Sequence, residues 1–141
     1  MSLSLHLQFP GTCRDAFTYY ERELGGRITF MATYAESPLG DQVPEAWRSM
    51  IMHATMSLHG EMTLMGSDIQ PGEFTPPQGF GIVLGVETPE EARRAFEALA
   101  AGGTVTMPLE ATFWAAAFGV VRDRWGLTWQ INCEQPPAGE A

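Results

Sequence analysis

A segment near the start of the chain recurs about 76 positions later, and this internal repeat strongly limits the folds that the chain can adopt. The first copy, TCRDAFTYYERELGGRITF, begins at Thr12, and the second, TPEEARRAFEALAAGGTVTM, begins at Thr88. The glycine pair at 25–26 aligns with the pair at 102–103 after a shift of one position. The sequence therefore predicts two copies of one supersecondary unit within its 141 residues.

Each copy carries the end signals of an amphipathic helix. Thr88 is a preferred N-cap, Pro89 suits the first helical position, and Glu91 completes a capping box by reaching back to the N–H of the cap. Thr12 and Asp15 repeat this pattern more weakly. Apolar residues recur at helical spacing, namely Cys13, Phe17, Tyr20 and Leu24 in the first copy and Ala92, Phe96 and Leu99 in the second. Both helices are predicted to end at their glycine pairs.

Segments that alternate apolar and polar residues flank both helices and predict β-strands. Before the helices, the apolar positions are Leu3, Leu5, Leu7 and Phe9 in the first half, and Phe80, Ile82, Leu84 and Val86 in the second. After the helices, the predicted strands are 28–34, 50–58 and 62–65, and then 105–109, 114–121 and 127–132. Each half is thus expected to run strand, helix and three strands, which predicts an α+β chain of two βαβββ modules.

Segments rich in proline and glycine divide the chain. They assign the first module to 1–67, with a long loop at 35–49, and the second module to 80–133. The connector is 68–79, and 134–141 is predicted to be a flexible tail. Because each module is small for a core of its own, one structural domain is expected overall.

Composition excludes several classes of protein. Eight Lys and Arg residues against 17 Asp and Glu residues give a net charge of −9, which argues against nucleic acid as a partner. Two cysteines, Cys13 and Cys133, are too few for a disulfide scaffold, although one bridge between them stays open. The N-terminal sequence lacks the features of a signal peptide, and no apolar run approaches the ~18 residues of a membrane helix. We therefore expect a soluble, cytoplasmic protein with no membrane partner.

Polar residues share one face of each predicted sheet, and this face is where a ligand is expected. They are Ser4, His6, Gln8, His53, Thr55, Ser57, Thr128, Gln130 and Asn132. A sheet with one solvated face gives the same alternation without a ligand. The stretch FWAAAFG at 113–119 favours a pocket, because Trp114 and Phe118 would supply flat walls opposite the small Ala115 and Ala117. An aromatic pair of this kind is also typical of a core or a dimer interface. The residues predicted to line a pocket are His6, His53, Thr55, Trp114, Phe118 and Gln130.

Two histidines on one sheet face could bind a divalent metal, with Gln130 or a carboxylate as a third ligand. No short motif fixes the geometry of His6 and His53, so hydrogen-bonded or solvated histidines are the alternative. Asp68 ends the string LMGSD, where a carboxylate is either functional or a turn former. The sequence contains no GxSxG motif and no glycine-rich phosphate loop. No catalytic residue is therefore assigned.

The strings GTCRDAFTYY, MHATMSLHGEMTLMGSD and EEARRAFEALAAGGTVTMPLEATFWAAAFGVVRDRWGLTWQIN resemble the PhnB-like branch of the glyoxalase/bleomycin-resistance, or vicinal oxygen chelate, superfamily. The resemblance covers residues 3–133. It implies that the two βαβββ modules form an open cup of eight strands around a cleft. It also implies that the protein pairs as a homodimer.

Superfamily enzymes chelate a divalent metal through side chains on the first and last strands of the modules, and the metal stabilises an enolate-like or anionic state. By the resemblance, the corresponding positions here fall near Ser4 and His6, on Gly81, near 65–67, and on Gln130. These positions lack anionic ligands and would hold a hard cation poorly. The sequence thus predicts no cofactor and a metal-poor protein; a metal, if present, would use His6 and Gln130.

Three functions are compatible with these features. The first is a metal-poor dimer that binds a small apolar or aromatic molecule, with the net charge favouring a cationic ligand by electrostatic steering. The second is a divalent-metal-dependent lyase, isomerase or dioxygenase acting on a substrate with vicinal oxygens. The third is a dimeric scaffold whose cleft is only an interface. The sequence leaves open whether the chain is catalytic, what its ligand is, and whether the modules pair within one chain or across a dimer.

Overall fold

The computed structural model describes residues 1–59 and 62–134, and it repeats one order of elements in both halves. The first half contains β1 (Leu5–Phe9), α1 (Cys13–Leu24), β2 (Arg27–Thr33), β3 (Ile51–Leu58) and β4 (Met62–Asp68). The second half contains β5 (Ile82–Val86), α2 (Pro89–Ala100), β6 (Thr104–Glu110), β7 (Ala115–Arg122) and β8 (Thr128–Glu134). The predicted α+β order of strand, helix and three strands is confirmed in each half.

The chain forms two compact units, Met1–Thr75 and Pro76–Ala141, that share one sheet topology. The strand order is β1-β4-β3-β2 in the first sheet and β5-β8-β7-β6 in the second. In each sheet the first strand pairs with the last in parallel, and the other neighbouring strands are antiparallel. The sequence repeat is therefore a repeat of one βαβββ module.

The core of the first unit lies between α1 and one face of its sheet. The predicted helix face, Cys13, Phe17, Tyr20 and Leu24, is buried. Gly66 of β4 lies directly under the Phe17 ring, where an added Cβ would come within 2.8 Å of two ring carbons. A glycine in β4 thus allows the helix to approach the strand closely.

The second unit buries the same kind of helix face, including Ala92 and Leu99. Phe96 packs over Gly119 of β7, where an added Cβ would lie 2.6 Å from the Phe96 ring. Ala115 and Ala117 alternate with Gly119 on this helix-covered side and are buried. Ala115, Ala117 and Gly119 therefore lie on the side of β7 that packs against α2.

The ends of the elements differ in detail from the sequence pattern. Leu3 and Phe80 precede their strands and are exposed, at 95% and 48% of their maximal accessible area. The Thr88 hydroxyl accepts the Glu91 N–H at 3.1 Å, which confirms the N-cap of α2. The Glu91 carboxylate accepts the N–H of Glu87 at 3.3 Å and not that of Thr88, so the return bond of the predicted capping box is displaced by one residue.

Several other expectations concern the cysteines and the chain ends. Cys13 and Cys133 are both free and buried, so the bridge left open by the sequence is not formed. Beyond Glu134, the predicted flexible tail at 134–141 lies outside the described residues. Within the described part of the chain, no helix has both the length and the apolar character that crossing a membrane needs.

Candidate functional site

The first candidate surface is the face of the first sheet opposite α1, called here the first helix-free face. Its strand residues are His6, Gln8, Arg27, Phe30, Ala32, His53, Thr55, Ser57, Thr63, Met65 and Ser67. The cross-strand register places His6 beside Met65, Met65 beside Thr55, and Thr55 beside Phe30. Residues from four strands thus form one continuous row.

His53 is the centre of this surface. Its ring stacks on the His6 ring, with centroids 6.3 Å apart and planes inclined by 23°. On the other side it meets the Phe30 ring at 5.9 Å. His53 Nε2 lies 3.1 Å from the Thr55 hydroxyl oxygen. The structure therefore brings together three of the residues predicted from the sequence, His6, His53 and Thr55.

The pKa of His6 lies below its ordinary value, first because burial disfavours the charged ring and second because His53 is near. The neutral imidazole is both a hydrogen-bond donor and an acceptor. At pH 7 the His6 ring is therefore neutral and can donate or accept a hydrogen bond to a ligand.

Phe30 belongs to this surface, but alternation in the sequence does not reveal it. Ile28 pairs with the core residue Met56, so a regular strand would turn Phe30 to the same side. A register shift between Ile28 and Phe30 instead pairs Phe30 with Thr55. As a result, 52% of the maximal area of the Phe30 ring is exposed.

The second candidate surface is the face of the second sheet opposite α2, called here the second helix-free face. Trp114 meets Phe118 edge-on at 5.3 Å, and Phe113 meets Trp114 edge-on at 4.8 Å. The register places Phe118 of β7 beside Asn132 of β8, and Val120 beside Gln130. The predicted residues Trp114, Phe118 and Gln130 thus belong to this unit, while His6, His53 and Thr55 belong to the first.

Asn132 carries a feature that the residue pattern alone could not reveal. Its side-chain Oδ1 is buried and has no hydrogen-bond partner in the part of the chain that the structure describes. Its neighbours in the register are Phe118 on one side and Gly85 of β5 on the other. The sequence predicts Asn132 among the polar positions of the strands, but the pairing of its oxygen depends on contacts that the sequence pattern does not contain.

Asp68, the carboxylate for which the sequence left two roles open, is buried and bonded to backbone. Its Oδ1 accepts the N–H groups of Gly11 at 3.1 Å and Cys13 at 2.9 Å, and its Oδ2 accepts the Ile51 N–H at 2.8 Å. These bonds join the end of β4 to the starts of α1 and β3. Asp68 is therefore a structural residue. Burial, and next the Asp68 carboxylate, raise the pKa of the Cys13 thiol, which keeps it protonated.

Asp123 is a buried carboxylate of the second unit and lies in the turn between β7 and β8. Its Oδ1 accepts the N–H groups of Trp125 at 2.9 Å and Leu127 at 3.0 Å. Its Oδ2 accepts the indole N–H of Trp129 at 2.9 Å. This side chain closes the turn between β7 and β8 and orients a buried tryptophan.

The positions that the superfamily uses for a metal do not fit a divalent cation here. Gly81 has no side chain, Met65 offers a thioether, and Gln130 offers a neutral amide. Within residues 1–59 and 62–134, no group of three or more His, Cys, Asp or Glu side chains could hold a metal ion. Hard divalent cations are bound mainly by oxygen ligands, with carboxylates supplying the charge. We therefore derive no chemical step through a metal.

Comparison with known proteins gives close relatives over nearly the whole chain. The family model described as 3-demethylubiquinone-9 3-methyltransferase matches residues 2–132. Protein YjdN of Escherichia coli K12 is 36% identical over 139 residues, which cover 94% of this chain and 95% of that protein. Protein PA1353 from Pseudomonas aeruginosa is 42% identical, with a TM-score of 0.86 over 96% of this chain and 99% of the other.

Two further solved structures share this fold. A putative 3-demethylubiquinone-9 3-methyltransferase, PhnB protein, from Bacillus cereus is 26% identical, with a TM-score of 0.80 over 94% of this chain and 99% of the other. A glyoxylase/bleomycin resistance protein/dioxygenase domain from Frankia is 16% identical, with a TM-score of 0.63 over 96% and 98%, and shares the fold. The chain therefore belongs to the PhnB-like family whose model is described as 3-demethylubiquinone-9 3-methyltransferase, and it has the fold of the glyoxalase/bleomycin-resistance proteins.

Proposed function

We propose that this chain is a small-molecule-binding protein that works without a metal. The observation that carries the proposal is the cluster on the first helix-free face, where His53 lies between the rings of His6 and Phe30 and is bonded to Thr55. The cluster combines exposed aromatic area with groups that donate and accept hydrogen bonds. Ligand sites in proteins commonly have this composition.

The charges on this face favour neutral or anionic ligands. Its ionisable strand residues, within the described part of the chain, are His6, His53 and Arg27, and no carboxylate stands among them. The expectation of a cationic ligand came from the net charge of −9, which describes the whole chain. At contact distance the local groups outweigh this average, because charges beyond about 8–10 Å are largely screened in salt.

The activity in the description of the family model is not part of the proposal. A methyltransferase that uses a nucleotide-like methyl donor is expected to hold it with a glycine-rich loop after a strand. In this sequence β1 is followed by Pro10 and Gly11, and β5 by Glu87 and Thr88. Neither turn is a glycine-rich loop, so neither provides the methyl-donor site that the description of the family model would require.

A divalent-metal-dependent lyase, isomerase or dioxygenase acting on vicinal oxygens is the second candidate. The approach of the His6 and His53 rings to 6.3 Å is the observation in its favour, since imidazole binds zinc, nickel and copper. The lack of a carboxylate beside them weighs against it. If the chain has this function, a divalent metal should raise the Tm of the protein and be required for turnover of the substrate.

We also propose that the protein is a cytoplasmic homodimer, as its superfamily resemblance implies. The edge strand β6 exposes Val105 and Met107, each at 46% of its maximal area, and a second copy of the chain would cover such residues. Sedimentation velocity of the full chain tests this. A monomer at tens of micromolar would contradict the dimer but leave ligand binding standing.

Matched histidine variants test the binding function. Chelator-treated, ¹⁵N-labelled protein is titrated with benzoate, benzamide and indole, and then with zinc, nickel and manganese. We expect at least one aromatic probe to shift resonances of residues on the first helix-free face without metal, and to raise Tm by mass action. His53→Ala should abolish these shifts. His59→Ala is the control, because His59 is exposed beyond the end of β3.

Each contrary result points to another function. Stabilisation that requires a metal would favour the lyase, isomerase or dioxygenase. Absence of any effect from probes and metals would favour a dimeric scaffold. Binding that survives His53→Ala unchanged would remove the central observation of the proposal.

A further inference from the structure

The second helix-free face contains an acceptor atom that no described residue of the chain satisfies. Asn132 Oδ1 is buried and lacks a hydrogen-bond partner within residues 1–59 and 62–134. Buried polar atoms in native proteins are nearly always paired, and an unpaired one destabilises the folded state. A partner from outside the chain is one way to remove this cost.

The surroundings of Asn132 combine an aromatic ring with free space. The cross-strand row runs from Gly85 through Asn132 and Phe118 to Glu110. A Cβ added at Gly85 would meet no heavy atom within 4 Å, so one side of the amide has room for another molecule. On the other side stand Phe118 and, edge-on to it, Trp114.

The side-chain amide places its oxygen, which can only accept hydrogen bonds, at the buried position, so a donor is needed there to pair it. A ligand that brings a donor to this oxygen and packs against the Phe118 ring would pair the acceptor and cover the ring together.

We propose that this row binds a planar aromatic molecule that carries an N–H donor. The ligand ring packs against Phe118 and Trp114, and its N–H donates to Asn132 Oδ1. Glu110, the neighbour of Phe118 in the register, favours neutral or cationic ligands over anionic ones here. The inference rests on the proposed binding function, but it concerns the second unit and a ligand chemistry unlike that of the first helix-free face.

Two probes that differ in a single group test the inference. Indole and benzofuran have the same fused rings, but indole has an N–H where benzofuran has an oxygen. In titrations of ¹⁵N-labelled full-length protein, we expect indole to shift the Asn132 side-chain resonance and the Gly85 and Phe118 backbone resonances. Its affinity should be roughly fivefold or more above that of benzofuran, the effect of one net hydrogen bond to a buried acceptor.

Three variants identify the groups responsible. Asn132→Leu removes the acceptor and should bring the two affinities together. Gly85→Leu fills the free space and should weaken both probes, and it provides a second route if Asn132→Leu does not fold. Thr128→Val, on the same strand and face, is the control and should keep the preference for indole.

The outcomes separate this inference from the proposed function. Equal affinities of indole and benzofuran for the wild-type protein would overturn the N–H donor but leave aromatic binding standing. Absence of shifts at Gly85, Phe118 and Asn132 with either probe would overturn the site, while the His53 experiment on the first helix-free face decides the proposed function independently.

Discussion

The Asp68 carboxylate accepts the backbone N–H of Cys13 at 2.9 Å, so the residue that ends β4 caps a helix that begins 55 positions earlier. The usual N-cap side chain, Thr12, makes no such bond. The same carboxylate also bonds the N–H groups of Gly11 and Ile51. One side chain thus satisfies three backbone donors and ties α1, β3 and β4 together.

Asp68→Asn should destabilise the protein although it changes the shape of the side chain very little. An amide has one acceptor oxygen, so its NH₂ group must face either the Ile51 N–H or the N–H groups of Gly11 and Cys13. Leaving buried donors unpaired costs about 2–3 kcal/mol of unfolding free energy. Urea denaturation measures the loss. Asp41→Asn, at an exposed position, is the control and should change stability by less than about 0.5 kcal/mol. Equal losses in the two variants would contradict the role of Asp68.

Gly66→Ala should destabilise the first unit by overpacking. The new methyl group would lie 2.8 Å from the Phe17 ring and 3.2 Å from the Cys13 sulfur, so the helix must move away from β4. Such insertions typically cost about 1–3 kcal/mol. Gly85→Ala is the matched control in the second unit, because its methyl group meets nothing within 4 Å. We expect that control to be neutral or slightly stabilising in urea denaturation, and a loss there as large as that of Gly66→Ala would refute the packing argument.

The repeat also provides a paired test of helix capping. Thr88→Ala removes the bond from the Glu91 N–H to the threonine hydroxyl and should cost about 1 kcal/mol. Thr12→Ala, at the equivalent position of the first module, removes no side-chain cap and should cost little. Thermal denaturation of the two variants compares them directly. If both lowered Tm to the same extent, the caps of the two helices would have to be equivalent after all.

The order of helices and strands could be predicted because its signals are local. Each signal is contained in a short stretch of sequence, as with Thr88 before Pro89 and the regular spacing of Phe17, Tyr20 and Leu24. The ends of the strands were harder to predict, because apolar residues such as Leu3 continue the alternation beyond the paired backbone.

The candidate site could be predicted only where the strands are regular. His6 and His53 lie on one face because β1 and β3 keep their alternation, but the register shift in β2 brought in Phe30 against the pattern. The bonds of Asp68 and the unpaired oxygen of Asn132 depend on contacts between distant segments. No short stretch of sequence contains that information.

The stability of the protein should depend on pH through His6. Burial, and next the neighbouring His53, lower its pKa in the folded state below the ordinary value of 6.5. Between these two values the unfolded chain binds more protons than the folded one, so acidification through this window lowers the free energy of unfolding. Above the ordinary value, His6 is neutral in both the folded and the unfolded state. The free energy of unfolding then no longer depends on pH through this residue.

His6→Gln should therefore lose less stability than the wild type between pH 7.5 and pH 5. Urea denaturation at several pH values gives the difference between the two proteins, which should grow in the variant's favour as the pH falls. His53→Gln removes the second cause of the shift and should reduce the same dependence in part, because burial of His6 remains. His59→Gln, at an exposed position, should follow the wild type. A constant difference between His6→Gln and the wild type across this range would show that His6 titrates alike in both states.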